Sequence, residues 1–353
     1  MGSRRSGPGS DKDMTSSSSA IAPEMPYTQL GRTGLTVARL VLGTMNFGPA
    51  TDEHDSGEIM DAALDAGVNL FDTADVYGRS QVTGAGTRGD TEELVGRWLG
   101  RGDRRERVVL ATKVYGSWGD WPNSGGLGAR HIRRACEDSL RRLGTDHIDI
   151  YQMHHIDRRV PWEEIWQAMD LLVAQGKVLY VGSSNFAGWH IAQAEEAAAR
   201  RSSLGLVSEQ CLYNLAQRAA EAEVLPAAQA YGLGVIPWSP LHGGVLGGVL
   251  EKERTGGRHR SAGDRAAAEV AERREQIQAY EDLCGKLGTP PGEVALAWLL
   301  TRPGVTGPIV GPRTREQLHS ALRALSVELS PETLAELDRI FPGPGPAPES
   351  FAW

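Results

Sequence analysis

Cysteine is scarce in this chain: Cys136, Cys211 and Cys284 are the only three in 353 residues, and they lie far apart. An odd, scattered set makes neither a disulfide framework nor a metal knuckle, so each reads as a small buried hydrophobe in a reducing, cytoplasmic setting. Positive charge is not in excess. Lys and Arg total 37 against 45 Asp and Glu, for a net charge of -8 and a pI near 5.7, which excludes the electrostatic footprint of a nucleic-acid binder. No apolar run is long enough to span a membrane, so no membrane partner is expected. Residues 1–24, rich in Ser and Gly with Arg4, Arg5 and Lys12, lack the continuous apolar core of a secretory signal and read as a disordered leader. No His or Cys stands at zinc-ligand spacing, so no metal is expected. Also missing is a Gly-x-Gly-x-x-Gly turn opening a helix after the first apolar run, which argues against an open doubly wound sheet.

What is present is an alternation. Apolar runs at Leu40–Phe47, Leu70–Tyr77, Val108–Tyr115, Ile148–His154, Val178–Ser184, Leu206–Leu212, Gly234–Trp238 and Thr306–Val310 predict eight strands. Between and after them, Asp55–Ala66, Thr91–Leu99, Ala129–Leu143, Pro161–Gln175, Trp189–Arg201, Ala220–Tyr231, Pro291–Arg302 and Arg315–Leu325 have the helical pattern. Strands that are apolar throughout indicate a parallel sheet covered on its outer face. Chemistry-bearing residues recur at the ends of at least six runs, whereas an open sheet would gather them at one switch point. The expected fold class is therefore α/β, a closed (β/α)8 barrel formed as one domain by residues 25–341. Thr91 followed by two acids predicts a helix cap, Pro161 a first helical turn, and Ser330-Pro-Glu-Thr a further C-terminal helix. Gly144 and Gly176 stand where helices end on a left-handed residue. The tail 342–353 is too rich in Pro and Gly for helix or sheet, although its Phe351 and Trp353 suit docking on an apolar groove.

Three strand-end segments, Leu70-Phe-Asp-Thr-Ala-Asp-Val-Tyr-Gly78, Val108-Val-Leu-Ala-Thr-Lys113 and Ile148-Asp-Ile-Tyr-Gln-Met-His154, supply Asp72, Tyr77, Lys113 and His154. A carboxylate, a phenol, an amine and an imidazole converging on one pocket form a proton-delivery device. In a dry site the amine is expected to lower the Tyr77 pKa towards neutrality, while the carboxylate keeps the amine charged and aimed. Such a set needs neither metal nor nucleophile and suits protonation of a carbonyl oxygen as hydride reaches the carbon. His154 and His155 are adjacent, and on a strand only one of them can point into the pocket.

These residues, in this order, resemble the aldo-keto reductase superfamily, and the match runs from the hairpin Tyr27-Thr-Gln-Leu-Gly-Arg-Thr-Gly34 to Pro308-Ile-Val-Gly-Pro-Arg313. The resemblance implies a TIM barrel with an N-terminal β-hairpin and extra C-terminal helices. It also implies an NADPH/NADP cofactor, with Asp72, Tyr77, Lys113 and His154 as the catalytic set; the pattern Asp-hydrophobic-Tyr-x-x-His, laid from Asp149, selects His154. Ser184 and Asn185 in Gly182-Ser-Ser-Asn-Phe186, with Gln210 in Glu209-Gln-Cys-Leu-Tyr-Asn214, match positions that bond a nicotinamide carboxamide. In Pro237-Trp-Ser-Pro-Leu-His-Gly-Gly244, Trp238 stands where the family often has a stacking Tyr, and the backbone at Ser239, Leu241 and Gly243 would cradle the pyrophosphate. A merely tight turn explains those glycines equally well. In Gly311-Pro-Arg-Thr-Arg-Glu-Gln-Leu318, Gly311 opens the segment, Arg313 fits the 2′-phosphate position at a helix N-terminus, Arg315 offers a second contact and Gln317 lies near the adenine. Ala321 replaces a frequent Asn, which removes one adenine bond. The charged stretch from Glu251 to Glu275, with Arg258 and Arg260, reads either as a solvated loop running into a surface helix or as a lid over the pyrophosphate.

Met45, Phe47, Trp118, Trp121 and Arg158 sit on or just beyond strand ends and are expected to line the mouth for a small-molecule carbonyl substrate. Val41-Leu-Gly-Thr-Met-Asn-Phe-Gly48 and Asp146-His-Ile-Asp-Ile-Tyr-Gln-Met-His-His-Ile-Asp157 resemble actinobacterial 2,3-reductases of deoxysugar pathways, for which the substrate would be a keto-sugar nucleotide. The same branch is similar to potassium-channel β subunits, so an NADPH-binding regulatory protein with vestigial turnover is the rival reading. A homo-oligomer is compatible with the sequence and not determined by it.

Overall fold

Short apolar runs with a residue facing inward at every second position have few ways to bury both faces, and here they curl into a barrel. The computed structural model describes residues 25–78, 86–256, 263–345 and 347–352, with 263–266 as backbone. The expected leader 1–24, Arg258, Arg260 and Trp353 lie outside the described residues. Strands β1 (Tyr27–Gln29) and β2 (Thr36–Ala38) form an antiparallel hairpin. They are followed by β3 (Val41–Gly43), β4 (Leu70–Asp72), β5 (Val109–Val114), β6 (Ile148–Met153), β7 (Val178–Ser184), β8 (Leu206–Gln210), β9 (Gly234–Val235) and β10 (Ile309–Val310). These eight pair in parallel in the order β10-β3-β4-β5-β6-β7-β8-β9. The ends meet where Thr306 N donates to Val235 O (2.8 Å) and Ile309 N to Pro237 O (2.9 Å). The fold is thus a (β/α)8 barrel with an N-terminal hairpin and additional helices towards the C-terminus, among them Arg274–Leu287 and Pro331–Ile340.

The barrel interior is layered. Val41, Leu70, Ala111, Ile150, Val207, Ile236 and Ile309 form one buried cluster, closed from below by Leu30 and Val37 of the hairpin. Two residues further along three of these strands stand Asp72, Lys113 and Gln152, with Asp72 in register with Ala111 and Lys113 with Gln152. Period-two alternation therefore sets a polar layer directly on an apolar one. The strand β8 breaks the pattern: Val181 and Ser183 of β7 pair with Leu206 and Glu209, so two steps on one strand face three on the other. This bulge turns Gln210 inward, although Val207 three residues earlier also faces inward.

Several boundaries differ from the sequence reading. The run Leu40–Phe47 is strand only to Gly43, and Leu70–Tyr77 only to Asp72, because the chain turns at once above the rim. Thr91 is no cap; Gly89, at φ 89°, precedes the helix Asp90–Leu99, while the buried Thr91 hydroxyl donates to the Phe47 carbonyl (2.9 Å). Pro161 occupies the cap itself, and the single helix expected over 220–231 is a 3-10 turn at Ala219–Glu221 followed by Val224–Ala230. In the charged connection after β9 the described residues form helices Val249–Thr255 and Gly263–Glu272, so the helical part of the expectation is present. Its Val249, Leu250 and Val270 are buried against Val245 and Ile277, and this apolar stripe outweighs the surrounding charge. The tail meets the barrel at Ala347, whose N donates to Ala222 O (3.2 Å), but Phe351 is 75% exposed, and contrary to expectation Glu349–Ala352 form one helical turn.

The hairpin tip depends on Gly31. It has φ +55°, and a Cβ there would lie 2.5 Å from Gly232 O and 2.7 Å from both Gly234 N and Val207 O. Gly31→Ala is expected to destabilise the protein by about 2–4 kcal/mol, the sum of a left-handed alanine and a backbone clash. Gly34→Ala, where a Cβ meets nothing within 4 Å, should change stability by no more than about 0.5 kcal/mol. Urea denaturation of the two variants checks the contrast, and equal losses would show that the hairpin does not plug the barrel tightly.

Candidate active site

The polar layer opens at the C-terminal rim of the barrel. Lys113, on β5, is fully buried, and its ammonium donates to Asp72 Oδ1 (2.5 Å), Thr73 O (2.8 Å) and Tyr77 OH (3.2 Å). All three of its protons are engaged. Asp72 ends β4; its other oxygen accepts from Gln152 Nε2 (2.9 Å) and Gln210 Nε2 (2.8 Å). Tyr77 is not on a strand but in the turn after β4, where Tyr77 N donates to Ala74 O. Its ring meets that of His154 edge on, with centroids 6.0 Å apart. β6 ends at Met153, so strand alternation does not sort the two histidines. Past the strand end His154 faces Tyr77, whereas His155 is exposed against Tyr115, 5.4 Å between centroids.

Burial governs the electrostatics here. It pulls the Lys113 ammonium down, but the Asp72 charge and the hydrogen bonds from Lys113 to Asp72 and Tyr77 raise it overall. For Tyr77 the balance is opposite to the sequence expectation. Burial pushes the phenol above its ordinary value, and the Lys113 charge only partly opposes this because Asp72, adjacent to Lys113, offsets it. Burial, with the Lys113 charge second, lowers His154 to about 3, so its imidazole is neutral.

The expected cofactor residues fall on the neighbouring rim. Ser184 Oγ donates to Gln210 O (2.8 Å). Asn185, at φ 59°, donates through Nδ2 to His154 O (3.1 Å) and Ser184 Oγ (3.0 Å), and accepts at Oδ1 from Trp238 Nε1 (3.0 Å). One amide thus ties the ends of β6, β7 and β9 together. Glu209, turned away from the interior by the bulge, accepts from Ser183 Oγ (2.5 Å) and Phe186 N (3.0 Å) and so holds the Asn185 turn from behind. The turn at Ser239, Leu241 and Gly243 closes on itself: His242 N donates to Ser239 O, Gly244 N to Leu241 O and Gly243 N to Ser239 Oγ. The helix Gly263–Glu272 lies against this turn, with His242 Nε2 2.5 Å from Glu269 Oε1. On the far side Thr314 caps the helix Arg315–Arg323, Gln317 Oε1 accepts from Arg313 N (2.8 Å), and the Gly311 carbonyl accepts from Asn46 Nδ2 (2.7 Å). Arg315 approaches only Glu58, at 4.0 Å. The Arg313 guanidinium has no hydrogen-bond or ion-pair partner among the described residues.

The mouth differs from expectation at Phe47. It is fully buried in the core beneath the rim, because the chain reverses at Thr44 (Phe47 N to Thr44 O, 2.8 Å) and drives the ring inward. Met45, Trp121 and Arg158 are exposed, Trp121 by 83%. Trp118 is partly committed: its ring lies under the Arg142 guanidinium at 4.5 Å and its Nε1 reaches Asp75 Oδ2 (3.3 Å). Asp75 is buried, lacks a partner for Oδ1 among the described residues, and is pushed up to about 7, chiefly by burial. The sequence reading passed over Gln152, Asp75 and Glu209. Gln152 stands two residues before His154 and two after the interior Ile150, and that spacing was the available signal.

Comparison with known proteins agrees with this fold. The model of the Aldo/keto reductase family matches residues 39–341. The chain is 52% identical over 336 residues to the uncharacterized oxidoreductase YrpG of Bacillus subtilis (strain 168), covering 93% of this chain and 100% of that one. It is 33% identical over 341 residues to versiconal hemiacetal acetate reductase of Aspergillus parasiticus, covering 89% and 96%. A probable voltage-gated potassium channel subunit beta of Oryza sativa subsp. japonica is 32% identical over 343 residues, covering 93% and 100%.

Burial raises Glu209 from 4.5 to about 8, so the folded chain keeps a proton there that the unfolded chain releases. Its contribution to stability is then full below about pH 4.5 and is lost as pH rises towards 8. Glu209→Gln removes that titration. The stability of the native chain relative to the variant should fall between pH 5 and 8, as read by urea denaturation at a series of pH values. A difference constant across that range would mean that Glu209 is ionised in the fold.

Proposed function

The chain belongs to the aldo/keto reductase family of oxidoreductases, and from that premise we propose that it is an NADPH-dependent carbonyl reductase acting on an aldehyde or ketone. One observation carries the reading: a buried ammonium shared between Asp72 and the Tyr77 oxygen, beside a neutral imidazole. A reduced nicotinamide, when bound, supplies the hydride. The chain supplies the proton and the orientation. Lys113 donates to the Tyr77 oxygen, so the phenolic hydrogen is free to point at a carbonyl oxygen in the pocket. A phenol kept protonated by burial is a ready acid, and Lys113, held in place by Asp72 and Thr73, stabilises the phenolate left behind. His154, uncharged, can donate a hydrogen bond to the same oxygen without bringing a second cation against Lys113.

The residues fit the phosphorylated cofactor. Arg313 presents a guanidinium with no partner among the described residues beside the N-terminus of the nine-residue helix Arg315–Arg323, where backbone N–H groups and helix dipole favour an anion. Ser184, Asn185, Gln210 and Trp238 converge from three strand ends on the side of the pocket next to His154. We assign the nicotinamide to that side and the pyrophosphate to the turn Ser239–Gly243. Trp121, Met45 and Arg158, exposed at the rim, suit a ring-bearing polar substrate, and a keto-sugar nucleotide is the class to test first. The complete set of four catalytic groups favours an enzyme over a purely regulatory subunit, and multiple rather than single turnover with an added aldehyde separates the two.

Tyr77→Phe should keep NADPH binding while carbonyl reduction, followed at the absorbance of NADPH, falls by about 10²–10⁴-fold. Near-normal turnover of a poorly activated ketone would show that the acid is another group. Arg313→Ala should weaken NADPH by about 1.5–3 kcal/mol and leave NADH almost unchanged. Equal losses for both in fluorescence titrations would assign Arg313 a structural role.

A further inference from the structure

Gln152 is fully buried in the interior layer, in register with Lys113. A buried amide is tolerated only when its donors and acceptor are matched. Its Nε2 donates to Asp72 Oδ2 (2.9 Å), and its Oε1 accepts from Gln210 Nε2 (3.1 Å), which also donates to Asp72 Oδ2 (2.8 Å). An ionised carboxylate only accepts, so each glutamine must turn its NH₂ towards Asp72, and this settles which end of each amide is nitrogen. Gln210 then has both N–H groups directed inward, one on Asp72 and one on Gln152. Its Oε1 has no partner among the described residues and is the only polar atom its side chain offers to the pocket. Asp72 alone would anchor a single N–H, about which the amide could swing; Gln152 supplies the second anchor.

We propose that Gln152 is a positioning residue that locks the Gln210 amide with its oxygen towards the cofactor pocket, making the site select a nicotinamide ring whose carboxamide can donate an N–H. The inference rests on the cofactor reading above. It adds a specificity determinant on β6, the strand that precedes His154 and carries no expected cofactor contact.

The test is a protein-fluorescence titration of the full chain with NADP and with its 3-acetylpyridine analogue, which keeps the ring carbonyl but has methyl in place of NH₂. Native protein should bind the analogue more weakly by on the order of tenfold, since a fixed acceptor facing a methyl group is left unpaired. Gln152→Met, apolar and of similar length, should shrink that ratio to roughly twofold, because Gln210 is then free to reorient. Gln152→Leu gives the same reading should the Met variant fail to fold. A native ratio near one, or an unchanged ratio in the apolar variants, would overturn the positioning role. Native protein that bound neither nucleotide would instead overturn the NADPH reading and this inference with it.

Discussion

The Lys113–Asp72 ion pair, 2.5 Å long and sealed in the barrel, is the constraint on which the rest of the site depends. Removing two charges from water costs several kcal/mol per ion, and their attraction offsets this only if every remaining donor and acceptor is also matched. The chain meets that condition with groups from separate strands. Thr73 O and Tyr77 OH complete the ammonium, and Gln152 and Gln210 complete the carboxylate. β4, β5, β6 and β8 must therefore end at one height, which the barrel's parallel register provides. A cluster this closely matched is preorganised, which the proposed proton transfer to a carbonyl would need.

Around the pair, burial and charge divide the labour. Burial holds Tyr77 protonated and His154 neutral, while Lys113 stays charged because Asp72 touches it. The expectation of a phenol drawn towards neutrality set the Lys113 charge above burial, which is the larger effect, and the adjacent Asp72 offsets part of that charge. The second tier, Asn185 with Trp238 and Glu209, bonds to no side chain of Asp72, Tyr77, Lys113 or His154. It closes the rim by joining the ends of β6, β7 and β9, and the left-handed backbone at Asn185 persists because bonds on three sides determine it.

Much of this was legible in the chain. Eight apolar runs alternating with amphipathic segments specify a covered parallel sheet, and chemistry at the ends of many runs, not at one switch point, favours the closed barrel over an open sheet. Asp72, Lys113 and His154 stood at the ends of such runs. The failures share a cause. Phe47 was assigned to the mouth from its place after a strand, but a tight reversal at Thr44 returns it to the core. The connection after β9 was read from its charge alone, yet buried Val249, Leu250 and Val270 hold its helices against Val245 and Ile277. Charge density describes the outer face of a helix and says nothing of its narrower buried stripe.

The sequence by itself determined which chemical groups exist, their order, and, through the two-residue period of a strand, that Asp72, Lys113 and Gln152 share the inward face above Leu70, Ala111 and Ile150. Only the tertiary structure decided the exceptions to that period. The bulge between β7 and β8 chose Gln210 over Glu209 for the interior, and His154 was selected beyond the end of its strand, where alternation no longer applies. The reason is the range of the interactions involved. A strand's period acts over two residues, whereas Gln210 meets Asp72 across 138 positions, and that bond exists only once the barrel has closed.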